Sequence, residues 1–369
     1  MYMVNRAFKR ISDHFVTFSL LAYLLPFIYY LLLTLRDGDI YFLDWKKTQY
    51  LVNYFDYGFI KRGLVGNLFI FIQLEQIKYY IVLFHTSLFI LFIWMVARLT
   101  DKRSYSECSA QQLDWLRALF VLSPFTALQI GFDIGRYDLL NLTLLVLTIK
   151  AIREQKFFLT ALLSVLALLT HEAYLFYGLP LVFALTVQKV WVLNADKHAL
   201  QKTKLTILIY AISLLCVCLL MYLFGSQKKE VSSSAGLGQQ VWKRDLLEPS
   251  FGATTSEMII LIAILTLIYF WLICFYATNR AKPDTLLLST LPPLALFFLG
   301  VDYARWSGLI FFTALLVVYH KVTVCRWHFN HWLTRSLGLL FFLPMGPIGI
   351  ERFFPFLAQI FPLFRRFYS

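Results

Sequence analysis

Long apolar stretches alternate with short polar segments along the whole chain, and many have the length of membrane-spanning helices. An α-helix rises 1.5 Å per residue, so about 20 apolar residues cross the roughly 30 Å hydrocarbon layer of a bilayer. The pattern predicts an all-α, polytopic transmembrane helical bundle of about ten to twelve spans, forming a single transmembrane domain over residues 1–369. We place the spans at 15–35, 79–97, 118–132, 138–152, 157–170, 173–188, 205–224, 258–277, 285–300, 306–323 and 336–350.

Composition agrees with a membrane protein. Of the 369 residues, 59% are hydrophobic, and the mean hydropathy is +0.67. Soluble domains have about 45–50% apolar residues. The basic residues before the first span, and the absence of a small-residue cleavage site after it, favour a retained signal anchor with a cytoplasmic N-terminus.

The net charge of +13 would suit a nucleic-acid-binding protein, but its distribution argues against that class. With the N-terminus inside, nearly all the excess Lys and Arg falls on the inner segments, as the positive-inside rule expects. The inner connections are short, and neither GxxxxGK[ST] nor GxGxxG occurs, which argues against a pump with its own ATPase and against a cytosolic nucleotide-sugar enzyme. We therefore expect a multi-pass membrane protein that binds no nucleic acid.

Three segments outside the spans are long enough to have a structure of their own. The first outer loop covers 36–78 and includes an apolar stretch at 64–74, too short to cross, which predicts an interfacial or re-entrant helix. The second outer loop covers 225–257. The tail at 351–369 mixes Phe with Arg and predicts an amphipathic interfacial helix; the tail is cytoplasmic instead if the last span is re-entrant.

Two pairs of opposite charge share the local pattern Gly-x-Asp-x-small-Arg-aromatic. The first pair is Asp133 with Arg136, and the second is Asp302 with Arg305. On a helix, residues three apart lie on one face, so each pair is either a local ion pair or a phosphate site. In the second interpretation the guanidinium fork binds phosphate bidentately, and the Asp orients the Arg or acts as a base.

The adjacent His171 and Glu172 follow an apolar stretch of only 14 residues at 157–170. Either the helix ends there and the pair lies below the outer surface, or the helix continues to Pro180 and the pair lies inside the membrane. Both alternatives require a polar cavity. The pair is an acid/base candidate or a buried polar clamp between helices.

The outer loops add further candidates, each of which is alternatively a residue of an ordinary solvated loop. Asp56, Lys61 and Arg62 lie close together in the first loop, and Arg244 lies in the second. All the charged groups named so far fall on the outer side of the predicted topology. Ionisable groups at membrane depth are costly and therefore usually have a function. Their grouping on one side predicts a site for a charged, membrane-borne substrate.

The many spans, the short basic inner loops and the outer-facing Arg and acidic residues resemble bacterial inner-membrane glycan polymerases of the Wzy type. These belong to the wider GT-C-like glycosyltransferases, which use lipid-linked sugars. The resemblance implies that an acid in the first outer loop serves as base, a role that Asp56 matches best and that Asp37, Asp39 and Asp44 also fit. It also implies that outer arginines engage a lipid pyrophosphate, and the candidates are Arg62, Arg136, Arg244 and Arg305. The chain departs from the polymerases in lacking two closely similar Arg-rich outer loops.

The resemblance implies transfer of a glycan from an undecaprenyl-type polyprenyl-(pyro)phosphate carrier at the periplasmic face. The product would be an O-antigen chain of lipopolysaccharide, or a capsule. We expect Arg136 and Arg305 to hold the phosphate. The expected acceptor base is His171, Glu172 or Asp56; the expected orienting residues are Asp133 and Asp302; and the further phosphate-binding candidates are Lys61, Arg62 and Arg244.

Two alternatives remain open at this point. One is a GT-C transferase that uses a polyprenyl-phosphate sugar, and the other is a flippase or transporter for a lipid-linked oligosaccharide. The expected partners are the lipid-linked oligosaccharide, membrane lipids and a chain-length regulator protein. No set of metal ligands is visible in the sequence, and we expect no cofactor.

Overall fold

The computed structural model describes residues 2–37, 40, 43, 46–54, 63–101, 107–193, 211, 255–299, 303–329 and 332–341. Within these ranges the regular structure is helical and includes no strand. The all-α prediction is therefore confirmed. The predicted span at 205–224, apart from residue 211, and most of the last span lie outside the described residues, as does the tail at 351–369.

The chain divides into two compact units. Unit 1 takes its described residues from the segments 1–32, 96–133 and 249–369, and unit 2 takes them from 33–95 and 134–248. The helices from the N-terminus to residue 132 are α1 (Tyr2–Asp13), α2 (Phe15–Asp37), α3 (Lys47–Leu51), α4 (Gly63–Phe69), α5 (Ile77–Leu99), α6 (Glu107–Leu122) and α7 (Ala127–Phe132). The following helices are α8 (Asp138–Arg153), α9 (Phe157–Thr170), α10 (Tyr174–Leu193), α11 (Thr255–Thr278), α12 (Thr285–Leu288), α13 (Leu296–Leu299), α14 (Tyr303–Thr323) and α15 (Trp332–Leu340).

Five helical segments of the described chain are long and apolar enough to cross a membrane. They are Phe15–Leu32, Ile77–Leu99, Ala110–Phe132, Leu261–Thr278 and Arg305–Thr323. Large apolar side chains are exposed along these segments, among them Leu25, Leu32, Leu83, Trp94 and Phe270. Apolar exposure on several long helices is typical of surfaces that face lipid, and we describe the chain as a membrane protein.

Prolines interrupt two stretches that the sequence predicts as single spans. At 118–132 the chain forms α6 and α7, separated by Ser123–Thr126 around Pro124. Proline lacks the N–H that would continue the helix, and the Phe120 carbonyl, which that N–H would have bonded, accepts a hydrogen bond from the hydroxyl of Thr126 instead. At 285–300 the pair Pro292-Pro293 begins a short 3₁₀ segment between α12 and α13. In both stretches the apolar pattern predicts the helical region, and proline interrupts the helix within it.

An ion pair between a buried lysine and a partly exposed aspartate lies at the end of unit 1 where α11 and α14 finish. Lys321, which is 4% exposed, donates to the carboxylate of Asp284. Tyr276 also donates to Asp284 at 2.8 Å, and the Lys321 ammonium lies 4.5 Å from the centre of the Trp327 ring. Burial alone would raise the pKa of Asp284, but the hydrogen bonds from Lys321 and Tyr276 lower it below its ordinary value.

We expect Asp284→Asn to destabilise the protein by about 3 kcal/mol, because it leaves the Lys321 ammonium buried without its carboxylate. Asp284→Asn/Lys321→Met should recover most of the loss, since the charge is then removed too. Thermal unfolding in detergent at neutral pH measures both effects. Because the pKa of Asp284 is depressed, the difference from wild type should shrink as the pH falls below about 4. Equal melting temperatures for wild type and Asp284→Asn at neutral pH would contradict this role.

Candidate functional site

Helices α8 and α9 form an antiparallel hairpin in unit 2, and the chain breaks its helical path where α9 ends. Helix α9 finishes at Thr170, and His171 is extended, with φ −158° and ψ 126°. Helix α10 starts at Tyr174. Of the two alternatives for the His171-Glu172 pair, the structure has the first, in which the helix ends before the pair.

The ring of His171 is oriented by the backbone of the same break. Its Nδ1 accepts a hydrogen bond from the Ala173 amide at 3.1 Å, so in the neutral ring the proton is on Nε2. The Oε2 atom of Glu172 lies 3.7 Å from Nδ1, but this contact is an ion pair only when the imidazole is protonated. His171 is 4% exposed, whereas Glu172 is partly exposed. The two adjacent side chains therefore have different access to a substrate.

Asn141 connects this break to the start of α8. Its Nδ2 donates to the His171 carbonyl at 3.1 Å, which brings together residues 30 positions apart. The side chain is 0% exposed, and its Oδ1 accepts no hydrogen bond from the part of the chain that the structure describes. A buried amide oxygen to which no protein group donates a hydrogen bond is uncommon. It is an acceptor available to a bound hydroxyl group.

Charged side chains lie beside Asn141 along the chain and are buried as deeply. Asp138, the first residue of α8, is 6% exposed, and Arg136 is 5% exposed. Buried charges are costly unless they are compensated, so several of them at one helix start mark a functional candidate. Together with Glu172, the set offers a guanidinium, two carboxyl groups, an imidazole and an amide.

The turn that carries Arg136 is held on both sides by the segment 46–50. The ammonium of Lys46 donates to the Ile134 carbonyl at 2.7 Å. The hydroxyl of Tyr137 donates to the Gln49 carbonyl at 2.5 Å, and the rings of Tyr50 and Tyr137 meet edge to face, with centroids 5.0 Å apart. We call these three contacts the Lys46 clamp. The clamp fixes the backbone immediately before and after Arg136.

Gly135 allows the clamp to close. Its φ is +88°, a conformation that glycine adopts without the steric cost that a side chain would impose. A Cβ atom there would also lie 2.7 Å from the Leu43 side chain and 3.3 Å from that of Lys46. The small residue of the Asp-x-small-Arg pattern is therefore a backbone requirement at this position.

The prediction that Asp133 and Arg136 share a helix face is wrong. Helix α7 ends at Phe132 and α8 begins at Asp138, so the residues between them form a turn. Asp133 belongs to unit 1, where its carboxylate accepts a hydrogen bond from Gln129 at 2.7 Å. Arg136 belongs to unit 2. The orienting role proposed for Asp133 stays a prediction, but it no longer has the helical geometry that suggested it.

The second copy of the pattern has a different conformation from the first. Arg305 is in the first turn of α14, and Ala304 before it is helical, whereas Gly135 is in a left-handed turn. Asp302 lies outside the described residues. The similarity of the two sequences is therefore not a similarity of structure over the residues that can be compared.

Several predicted site residues lie outside the residues that the structure describes. Asp56, Lys61 and Arg62 in the first loop and Arg244 in the second are all in this group, together with Asp39 and Asp44. Their assignments stay predictions. The predicted short helix at 64–74 corresponds to α4, and Val65, Gly66 and Phe69 are buried in it.

Sequence reasoning missed Lys46, Asp138 and Asn141. Asp138 and Asn141 are two polar residues three apart at the start of an apolar helix, and this spacing could have indicated them. Lys46 gives no such signal, because its partner is a backbone carbonyl 88 positions away.

The donor set does not indicate a metal site, since no group of three or more His, Cys, Asp or Glu that could hold an ion occurs among the residues described. No known protein family, curated protein or solved structure matches the chain.

Proposed function

We propose that the protein is a membrane glycosyltransferase that acts on polyprenyl-(pyro)phosphate-linked glycans and polymerises O-antigen or capsule repeat units. The observation that supports it most is the burial of Arg136, Asp138 and Asn141 at the start of α8, together with the hydrogen bond that joins Asn141 to the interruption of the helices at His171. Such an interruption is tolerated in a membrane where it lines a polar cavity. The cavity would receive the phosphate and the first sugars of the lipid-linked substrate.

The depth of the interruption fits a substrate held by a lipid. The turn between α8 and α9 is charged and exposed, with Glu154 paired to Lys156 at 2.7 Å, so it lies at or beyond one face of the apolar layer. Helix α9 has 14 residues, which span about 21 Å. Because the layer is about 30 Å thick, His171 would lie below the far face, and the proposed polar cavity would connect it to the level of the carrier's phosphate.

Arg136 is the proposed phosphate ligand. Its planar fork matches two phosphate oxygens, and the Lys46 clamp holds its backbone in place. In the reaction the acceptor oxygen forms a bond to the anomeric carbon while the bond from that carbon to the carrier phosphate breaks. Negative charge grows on the departing phosphate oxygen, and stabilising this charge is usually the largest catalytic contribution.

Glu172 is the proposed base that takes the acceptor proton. It is the more exposed member of the pair, and the Nδ1 of His171 is occupied by the Ala173 amide. His171 instead presents a donor at Nε2, which suits a phosphate or sugar oxygen. Asn141 has its Nδ2 fixed by the His171 carbonyl, so its Oδ1 is the acceptor for a sugar hydroxyl.

The proposed setting is the bacterial inner membrane, with the N-terminus in the cytoplasm and the site at the periplasmic side. Membrane lipids and the lipid-linked oligosaccharide are the proposed partners, with a chain-length regulator protein as a further one. No nucleotide is needed, because the donor carries its own phosphate leaving group.

Deletion of the gene in its host tests this proposal against a flippase. An enzyme defect leaves single lipid-linked repeat units at the outer leaflet, because their transport is intact. A membrane-impermeant reagent that oxidises and labels sugars should therefore label them in intact spheroplasts. Labelling only after the membrane is opened would mean that transport is the missing step, and the glycosyltransferase proposal would then be wrong.

A further inference from the structure

Helix α1 has one face that packs and one that stays exposed. On the packed face Phe8 meets Trp115 of α6 edge to face, with ring centroids 4.5 Å apart, and Trp115 donates to Asn5 at 3.1 Å. On the other face the side chains of Arg6, Lys9 and Arg10 are exposed. These three residues are three and four positions apart, so they lie on one side of the helix.

No carboxylate pairs with these three cations among the residues that the structure describes. Asp13 is the only acid of α1. Elsewhere in the chain exposed lysines do have acids beside them, since Lys150 and Lys156 both pair with Glu154. The exposed side of α1 is therefore a cationic surface whose charge is not compensated locally.

The position of α1 along the chain fixes its level relative to the membrane. Helix α1 runs almost directly into α2, because His14 and Phe18 continue the backbone hydrogen bonds across the junction. The apolar span begins at Phe15, five residues after Arg10, a rise of about 7.5 Å. The polar headgroup layer extends about 5–8 Å beyond the hydrocarbon on each side. Long basic side chains reach headgroup phosphates from this distance.

Other cations lie at the same end of unit 1. Helix α6 connects α1 to the segment after α14, since Gln112 accepts a hydrogen bond from the Phe329 amide at 2.7 Å. Asn279 and His328 are joined by two hydrogen bonds between side chain and backbone. The exposed basic residues of this neighbourhood are Arg280, Lys282 and Arg326.

We propose that the exposed face of α1, with Arg6, Lys9 and Arg10, binds the phosphate headgroups of anionic phospholipids. Basic residues beside a span are attracted to anionic lipids by about 1 kcal/mol each near the surface. A helix continuous with a span is held at the headgroup layer at all times, so lipid is its constant neighbour. An acidic protein would have to displace that lipid to reach the same face.

The test uses the full chain purified in an uncharged detergent, titrated with phosphatidylglycerol or phosphatidylcholine, with bound lipid counted by native mass spectrometry. Wild type should bind phosphatidylglycerol more tightly than phosphatidylcholine. Lys9→Gln/Arg10→Gln should lower the affinity for phosphatidylglycerol by about thirtyfold and leave phosphatidylcholine unchanged. Glutamine keeps the helix propensity, so the fold should persist, and the melting temperature without added lipid checks this.

Lys150→Gln/Lys156→Gln is the matched control, because it also removes two positive charges but from lysines already paired with Glu154. It should change the affinity less than threefold. Equal loss in the two variants would show that overall charge, and not the face of α1, attracts the lipid. Equal binding of both lipids by wild type would overturn the proposal and leave an acidic protein as the partner of this face. Neither result depends on the proposed glycosyltransferase activity.

Discussion

Arg136→Ala should lower the rate of glycan transfer by about a thousandfold while the protein still inserts and folds. The reason is that Arg136 is a buried guanidinium in the turn before α8, and loss of one donor to a developing oxyanion costs about 10² to 10³ in rate. The measurement is the initial rate of carrier release by purified protein from a lipid-linked repeat unit.

Two further variants make this result specific. Arg136→Lys keeps the charge but loses the planar fork, so it should recover only a small part of the rate. Arg98→Ala removes an exposed arginine of α5 and should leave the rate within twofold of wild type. A rate for Arg136→Ala close to that of wild type would remove Arg136 from the phosphate site.

Glu172→Gln should lower the same rate by about 10² to 10⁴, the usual contribution of a general base, whereas His171→Gln should retain most of it. The different effects of the two variants follow from the hydrogen bonds at the helix break that carries His171 and Glu172. The Nδ1 of His171 accepts from the Ala173 amide, so the ring is a donor through Nε2, and the amide nitrogen of glutamine reaches a similar place. Pre-steady-state transfer rates of the two variants test whether Glu172→Gln is the slower one.

Glu154→Gln provides the control for the carboxylate, because Glu154 is exposed in the turn at the opposite end of α9. It should transfer at the wild-type rate. If His171→Gln were inactive and Glu172→Gln active, the roles of the two residues would have to be exchanged.

The helices could be predicted from the sequence because apolar periodicity and length are local properties. Two of the predicted spans are interrupted, and the cause is also local, since Pro124 and Pro292 break stretches that are apolar throughout. The break at His171 has no proline. There the polar pair itself marked the place where the helix ends.

The site could be predicted only in part, because its connections are not local. Arg136 and His171 stand out as polar residues in an apolar chain, but the bond from Asn141 to the His171 backbone joins residues 30 positions apart. In the Lys46 clamp the lysine donates to a backbone carbonyl oxygen. Every residue has a backbone carbonyl, so no pattern of side chains indicates this contact. At Gly135 the sequence pattern was recognised, but its cause is the positive φ of the glycine and not the shared helix face that we expected.

The central claim is that Arg136 and the break at His171 belong to one site that binds the phosphate of a lipid-linked glycan and transfers that glycan. The most direct measurement incubates purified wild-type protein with a polyprenyl-pyrophosphate-linked repeat unit and quantifies two products, the free carrier pyrophosphate and the new glycosidic bonds. We predict one free carrier pyrophosphate for each new glycosidic bond, and almost none of either with Arg136→Ala. Carrier and glycan that remain joined in the presence of wild-type protein would contradict the claim.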